Sequence, residues 1–203
     1  MKEEIKAIET TYNGYKFRSR TEARWAVFFD TLGINYEYEK EGFDLNGTWY
    51  LPDFYIPFWD MFIEIKGTIP TAEERVKCIR LGHITQRPVF LIHGTPGENY
   101  EILRFMPDPE EDITGEVFSP EPIITNKGIF LQCRRCPEIF LAHFDSNGNP
   151  WYWSSLGHPE VAEYMKTDPR HECTDRAPLV RGKLQEAVEA AKRAQFEFGK
   201  SGN

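Results

Sequence analysis

The stretch WYLPDFYIPFWDMFIEIKG at residues 49–67 sets two runs of aromatic and β-branched residues on either side of a turn, the signature of an antiparallel hairpin. A two-residue turn at Phe58-Trp59 fixes the register: Pro57 faces Asp60, Tyr55 faces Phe62, Asp53 faces Glu64 and Leu51 faces Lys66. Glu64 and Lys66 are two apart and share one face of their strand, while Ile63 and Ile65 point the other way into a core. Directly opposed residues have Cβ atoms about 4.5–5.5 Å apart, and two carboxylates at that range repel unless a cation lies between them.

The flanking pattern builds a mixed α/β unit around this hairpin. Ser19 or Thr21 caps a helix over residues 20–32 whose apolar residues Trp25, Phe28, Phe29 and Leu32 recur at helical spacing, and Gly33 ends it. YEYEKEGFDL alternates as a strand, and Asn46-Gly47 turns it into the next one, so that a three-stranded meander is expected. TAEERVKCIRLGHIT follows as a helix capped by Thr71, and RPVFLIHG is a short continuous apolar run suited to a buried strand. The expected order is αβββαβ.

Hard carboxylate oxygens at the Asp53–Glu64 separation suit Mg²⁺, which keeps several waters and completes its octahedron with phosphate oxygens. An ion so placed polarises a phosphoryl group, acidifies a bound water and stabilises the departing oxygen. Lys66 either orients the water or the phosphate, or acts as a point charge for developing negative charge; the spacing is compatible with both. Glu22 adds a further carboxylate at the edge of the first helix's apolar stripe, where burial without a partner is costly. Taken singly, each residue has a plain reading as a solvated surface charge, and a second Pro-Asp at Pro107-Asp108 has no strand behind it. Their joint placement on one hairpin and one preceding helix favours a functional site.

The formal net charge of −8 argues against a nucleic-acid partner only until it is located. Residues 107–125 hold six carboxylates and no Lys or Arg in a Pro-punctuated stretch that reads as an exposed linker. The expected division is therefore an N-terminal unit over 1–106, the acidic linker over 107–125, and a small C-terminal module over 126–203. Lys16, Arg18, Arg20 and Arg24, interleaved with Tyr15 and Phe17, form the candidate phosphate-contacting strip, whose plain alternative is a solvated helix entrance. Four Cys in 203 residues make no disulfide scaffold, and neither a membrane span nor a signal peptide is visible, so a cytoplasmic location is expected.

Pro52-Asp53 on one strand, Glu64-Ile65-Lys66 on the next, and Glu22 on the preceding helix resemble the PD-(D/E)xK nuclease superfamily. The match spans roughly residues 12–95, and YKFRSRTEARWAVFFDTLGINYEYE also resembles the start of nuclease-like proteins encoded by phages and prophages. The resemblance implies a restriction-endonuclease-like fold and Mg²⁺-dependent hydrolysis of DNA phosphodiesters, with Mn²⁺ as a substitute and RNA not excluded. It assigns Asp53 and Glu64 as metal ligands and Lys66 as the catalytic lysine. Glu22 is then the helix acid of the Holliday-junction-resolvase and transposon-end-nicking branches, and the dimeric habit of branch-cleaving members suggests a homodimer. Gln86-Arg87-Pro88 departs from the Gln-x-x-x-Tyr signature of the RecB-like branch, which favours an endonuclease over an exonuclease. The alternative is a catalytically inactive nucleic-acid- or protein-binding module on the same fold.

In the C-terminal module, Cys133 and Cys136 form a C-x₂-C knuckle that can share one structural Zn²⁺ with His171 and Cys173. The second C-x₂-C usual for such a site is absent, and reduced structural cysteines are the alternative. GKLQEAVEAAKRAQFEFG at 182–199 is an amphipathic helix with Leu184, Val188, Ala191 and Phe198 on one side, fit either to pack on the chain or to join two copies.

Overall fold

The computed structural model describes residues 8–105, 129–132, 139–144, 150–154 and 182–196. The chain opens with a hairpin, β1 (Thr10–Tyr12) and β2 (Tyr15–Phe17), turned by Asn13 and Gly14. Both turn residues adopt positive φ, 46° and 81°, as a two-residue turn with the right twist requires. Helix α1 (Arg20–Leu32) starts where Ser19 accepts the Glu22 N–H and ends where Gly33 turns left-handed at φ 76°, matching the expected span and caps.

The strand expected from the YEYEKEGFDL pattern is interrupted. Glu37–Tyr38 forms β3, Glu39 takes a left-handed φ of 47°, and Phe43–Asp44 resumes as β4. β4 pairs with β5 (Trp49–Tyr50) in a separate two-stranded ribbon around Asn46-Gly47, the turn the sequence indicates. The Glu39 N–H still donates to the Asp53 carbonyl at 2.8 Å, carrying the β3–β6 register one rung further, and the left-handed backbone at Glu39 then turns the chain out of the sheet. β3 itself pairs with β6 (Phe54–Ile56), and β6 pairs with β7 (Met61–Lys66).

The register of β6 on β7 is the expected one, with Tyr55 facing Phe62. The turn differs: Ile56 pairs with Met61, so Pro57–Asp60 form a four-residue loop, with Asp60 at φ 46°. Pairing two residues shorter leaves the parity, and hence every side chain's face, unchanged.

After β7, α2 (Ala72–Thr85) crosses over to β8 (Val89–Thr95), which runs parallel to β7. Thr71 and Glu74 form a complete capping box at the start of α2. The sheet continues with β9 (Glu98–Phe105), an antiparallel strand beyond the expected set, to give the order β3-β6-β7-β8-β9. The described core is thus mixed α/β with a mixed sheet, and α1, β3, β6, β7, α2 and β8 follow the expected order.

The sheet is covered on both faces. Ile63 and Ile65 of β7, with Phe54, Phe90 and Ile92, pack on Trp25, Phe28 and Phe29 of α1. Phe62, Val89, Leu91 and Leu103 pack on Cys78 and Leu81 of α2. β10 (Ile129–Gln132), β11 (Ile139–Phe144) and β12 (Pro150–Ser154) form a three-stranded antiparallel sheet, and Leu141 is buried in the α1 core. Helix α3 (Lys183–Arg193) buries Leu184, Ala187 and Ala191 in that same core, and the Lys183 ammonium donates to the Leu32 carbonyl at the end of α1. The helix ends at Arg193, short of the expected 199; Phe196 is buried beyond it, and Phe198 lies outside the described residues. The amphipathic face read from the sequence is therefore spent on packing within the chain. No helix among the described residues is long and apolar enough to cross a membrane.

Candidate active site

The site stands at one end of the sheet, where α1 and α2 both begin. Asp53 immediately precedes β6, and the register carries it opposite Glu64. Each carboxylate is held by the other's strand. Glu64 Oε2 accepts the Asp53 N–H at 3.2 Å, and Asp53 Oδ2 accepts the Ile65 N–H at 2.7 Å. Both side chains are 2% exposed, which is rare for acids without strong partners.

Cations supply part of what such burial needs. The Lys66 ammonium lies 2.8 Å from Glu64 Oε1 and 3.6 Å from Glu74 Oε1, the capping-box residue of α2. Arg18, at the entrance to α1, places Nη2 2.7 Å from Asp53 Oδ1 and Nε 2.7 Å from Glu39 Oε1. The same Nη2 reaches the Leu51 carbonyl at 3.3 Å. Glu22, also buried, needs no cation at its oxygens: Oε2 accepts the Tyr38 hydroxyl at 2.7 Å and the Arg18 N–H at 3.0 Å, and Oε1 accepts the Ser19 hydroxyl at 2.7 Å. Tyr50 stands near Glu64 and the Cys78 thiol from the ribbon side, and burial above all raises its pKa.

The charge balance falls on Asp53. Burial, then the nearby Glu64 and Glu22 charges, push its carboxyl well above the usual carboxylate range, against the opposing pull of Arg18 and the Ile65 N–H. Lys66 moves the other way. Burial opposes its charge, but Glu64, with Asp53 and Glu74, outweighs this and raises its pKa above the ordinary lysine value, so the amine stays protonated. Burial and the Glu22 bond likewise keep Tyr38 a neutral donor.

The donor set fits a divalent ion chemically. It is made of carboxylate oxygens, it is buried, and its negative charge already drives a carboxyl toward protonation, a strain that a bound cation relieves. Among the described residues no three His, Cys, Asp or Glu side chains are gathered around a common point, and Arg18, Lys66, Tyr38 and the backbone engage the acid oxygens.

The other sequence candidates are scattered. Lys16 pairs with Glu9 at 2.7 Å on the first hairpin. Arg20 and Arg24 are on α1, where Arg24 Nε is buried without a hydrogen-bond acceptor, and Arg18 pairs with Asp53. Cys133, Cys136, His171 and Cys173 lie outside the described residues. Sequence reasoning missed Tyr38, Tyr50, Glu39 and Glu74. Only Glu74 carried a visible signal, the Thr71-x-x-Glu74 spacing, and that signal speaks of the helix start and not of Lys66. No family model, curated protein or solved structure matches the chain.

Proposed function

We propose that the chain is a divalent-metal-dependent phosphodiesterase that cuts DNA internally, built on a restriction-endonuclease-like core. The observation that carries this reading is the buried Asp53–Glu64 pair, opposed across β6 and β7, with Lys66 one step along the same face. The resemblance of these residues to the PD-(D/E)xK pattern supports the same chemistry.

Asp53 and Glu64 are the residues that would hold Mg²⁺, or Mn²⁺ in its place, with Glu22 adding negative charge behind them. When bound, the ion supplies Lewis-acid polarisation of the phosphoryl group and a more acidic water. The Ile65 N–H and the Asp53 N–H fix the two carboxylates in orientation, which lowers the entropy lost on ligation. Lys66, kept protonated by Glu64 and Glu74, orients the phosphate and stabilises its developing charge, and in this state it is not a proton acceptor. The start of α2 adds partial positive charge at the same end of the sheet.

The test is cleavage of a substrate panel (supercoiled, linear, single-stranded and four-way DNA) by the full chain with Mg²⁺, beside Asp53→Ala and Lys66→Ala. Nicking that both variants abolish, with circular dichroism unchanged, is expected. Equal cleavage by all three proteins sinks the reading. A binding module without turnover is the second reading, favoured by the fact that Arg18 and Lys66 already neutralise the acid pair. It predicts salt-sensitive DNA binding and no cleavage in Mg²⁺ or Mn²⁺.

A further inference from the structure

The geometry points to Arg18 as an internal counter-cation of the carboxylate pair, one that covers Asp53 in the metal-free chain and that a divalent ion must displace. The inference rests on the divalent-ion reading of the site and concerns its regulation.

Asp53 has one oxygen committed and one available. Oδ2 is bonded to the Ile65 N–H inside the sheet, and Oδ1 is the oxygen that the Arg18 guanidinium occupies at 2.7 Å. The two cations of the site are held differently. Lys66 is the last residue of β7, paired with His93 of β8, and is 28% exposed, whereas Arg18 lies between β2 and α1 and is 53% exposed. Arg18's three anchors are Asp53, Glu39 and the Leu51 carbonyl. Glu39 is the residue where the chain leaves the sheet, and Leu51 belongs to the link between ribbon and β6, so neither anchor lies within a strand.

A guanidinium is a planar fork with one delocalised charge, able to neutralise a carboxylate but not to gather several carboxylate oxygens around one centre. A divalent ion does the latter with twice the charge. Both need Asp53 Oδ1, so they exclude one another there. Arg18 can leave without breaking the fold, because its side chain already reaches solvent and its backbone N–H stays bonded to Glu22. The arrangement protects a buried carboxylate from standing unpaired before metal arrives, and it sets a threshold for metal loading.

The experiment has two arms, both on the full chain. In the first, the Arg18 Nε–Hε signal, assigned through its own backbone, is followed by ¹⁵N NMR while Mg²⁺ is added. Its loss of protection in step with shifts of the Asp53 and Ile65 amides is expected. An Arg18 signal that stays in place while those amides report binding overturns the proposal. In the second, free Mn²⁺ is measured by electron paramagnetic resonance over wild type, Arg18→Gln and Asp53→Asn. Arg18→Gln should bind about tenfold more tightly, the equivalent of one charge-assisted hydrogen bond, and Asp53→Asn should bind weakly or not at all. Equal or weaker binding by Arg18→Gln, with Asp53→Asn still defective, removes the role of Arg18 and leaves the divalent-ion reading standing. No binding by either wild type or Arg18→Gln removes both. The wild-type NMR arm decides the matter even where the Arg18 variant fails to fold.

Discussion

Asp53 and Glu64 are bound to each other's strands and not to each other: the Asp53 N–H reaches Glu64 Oε2 at 3.2 Å, and the Ile65 N–H reaches Asp53 Oδ2 at 2.7 Å. Two like charges are thereby held across a strand pair by backbone N–H groups. Their repulsion is not relieved by moving apart, so it must be relieved by a proton, by Arg18 and Lys66, or by an added cation.

The proton route predicts a pH dependence. Burial and the neighbouring carboxylates raise the folded pKa of Asp53 well above its unfolded value of about 3.9. A carboxyl group raised on folding contributes stability below the unfolded value and loses it as pH rises through the folded one. In chelator, urea midpoints of the wild type should therefore fall relative to Asp53→Asn as pH climbs above about 4, leaving the variant more stable at neutral pH. Arg18 keeps Glu39 and the Leu51 carbonyl in that variant, so no cation is orphaned. Parallel stability curves for the two proteins would show that the pair is relieved some other way. Mg²⁺ should restore the wild type by mass action and leave Asp53→Asn unmoved.

The Tyr38 hydroxyl holds the buried Glu22 carboxylate at 2.7 Å, whereas Tyr55 bonds the half-exposed Asp60. Tyr38→Phe should cost about 1.5–3 kcal/mol by urea unfolding, the range for hydrogen bonds to charged groups. Tyr55→Phe should cost under about 1 kcal/mol, since water replaces its partner. Equal losses for the two would mean that the Tyr38 hydroxyl carries no special share in holding Glu22.

Lys66 is predicted to act as a cation throughout the working pH range, because Glu64 and Glu74 raise its pKa above the ordinary value of about 10.4. If the chain cleaves DNA as proposed, Lys66→Arg should retain part of the rate and Lys66→Gln almost none. The rate profile of the wild type should also show no limb below about pH 9 that Lys66→Arg abolishes. Finding such a limb would make Lys66 a titrating base.

What the sequence made legible follows from short-range rules. The faces of Asp53 to Ile56 and of Met61 to Lys66 were set by alternation alone, and they survived a wrong turn length because the parity was unchanged. The starts of α1 and α2 were readable because Ser19 and Thr71 bond their own helices. The first hairpin carried an Asn13-Gly14 signal too, but three-residue strands are too short for alternation to register. Tyr38 was hidden because an aromatic residue in a strand reads as core, and its hydroxyl finds a partner only through tertiary contact. Arg18 looked like its neighbours Lys16 and Arg20. Nothing local says that the ribbon returns Leu51 and Asp53 over the start of α1, and that return is what turns one basic residue inward.

The contact between the β8–β9 turn and α3 offers a last, independent check on how the C-terminal helix is seated. Gly97 has φ 81°, and a Cβ built there would stand 2.2 Å from Val188 Cγ1 and 3.1 Å from Val188 Cβ. The stiff β-branched side chain cannot move aside without shifting α3, whose Leu184, Ala187 and Ala191 are packed in the α1 core. Gly97→Ala should therefore destabilise by about 2–3 kcal/mol, of which about 1 kcal/mol is backbone strain at positive φ and the rest overpacking. Val188→Ala makes room, so in the double variant the overpacking share should be recovered and the strain share should remain. Thermal or urea unfolding of the four proteins of the cycle measures that coupling. A coupling near zero would mean that the turn and α3 do not touch in solution.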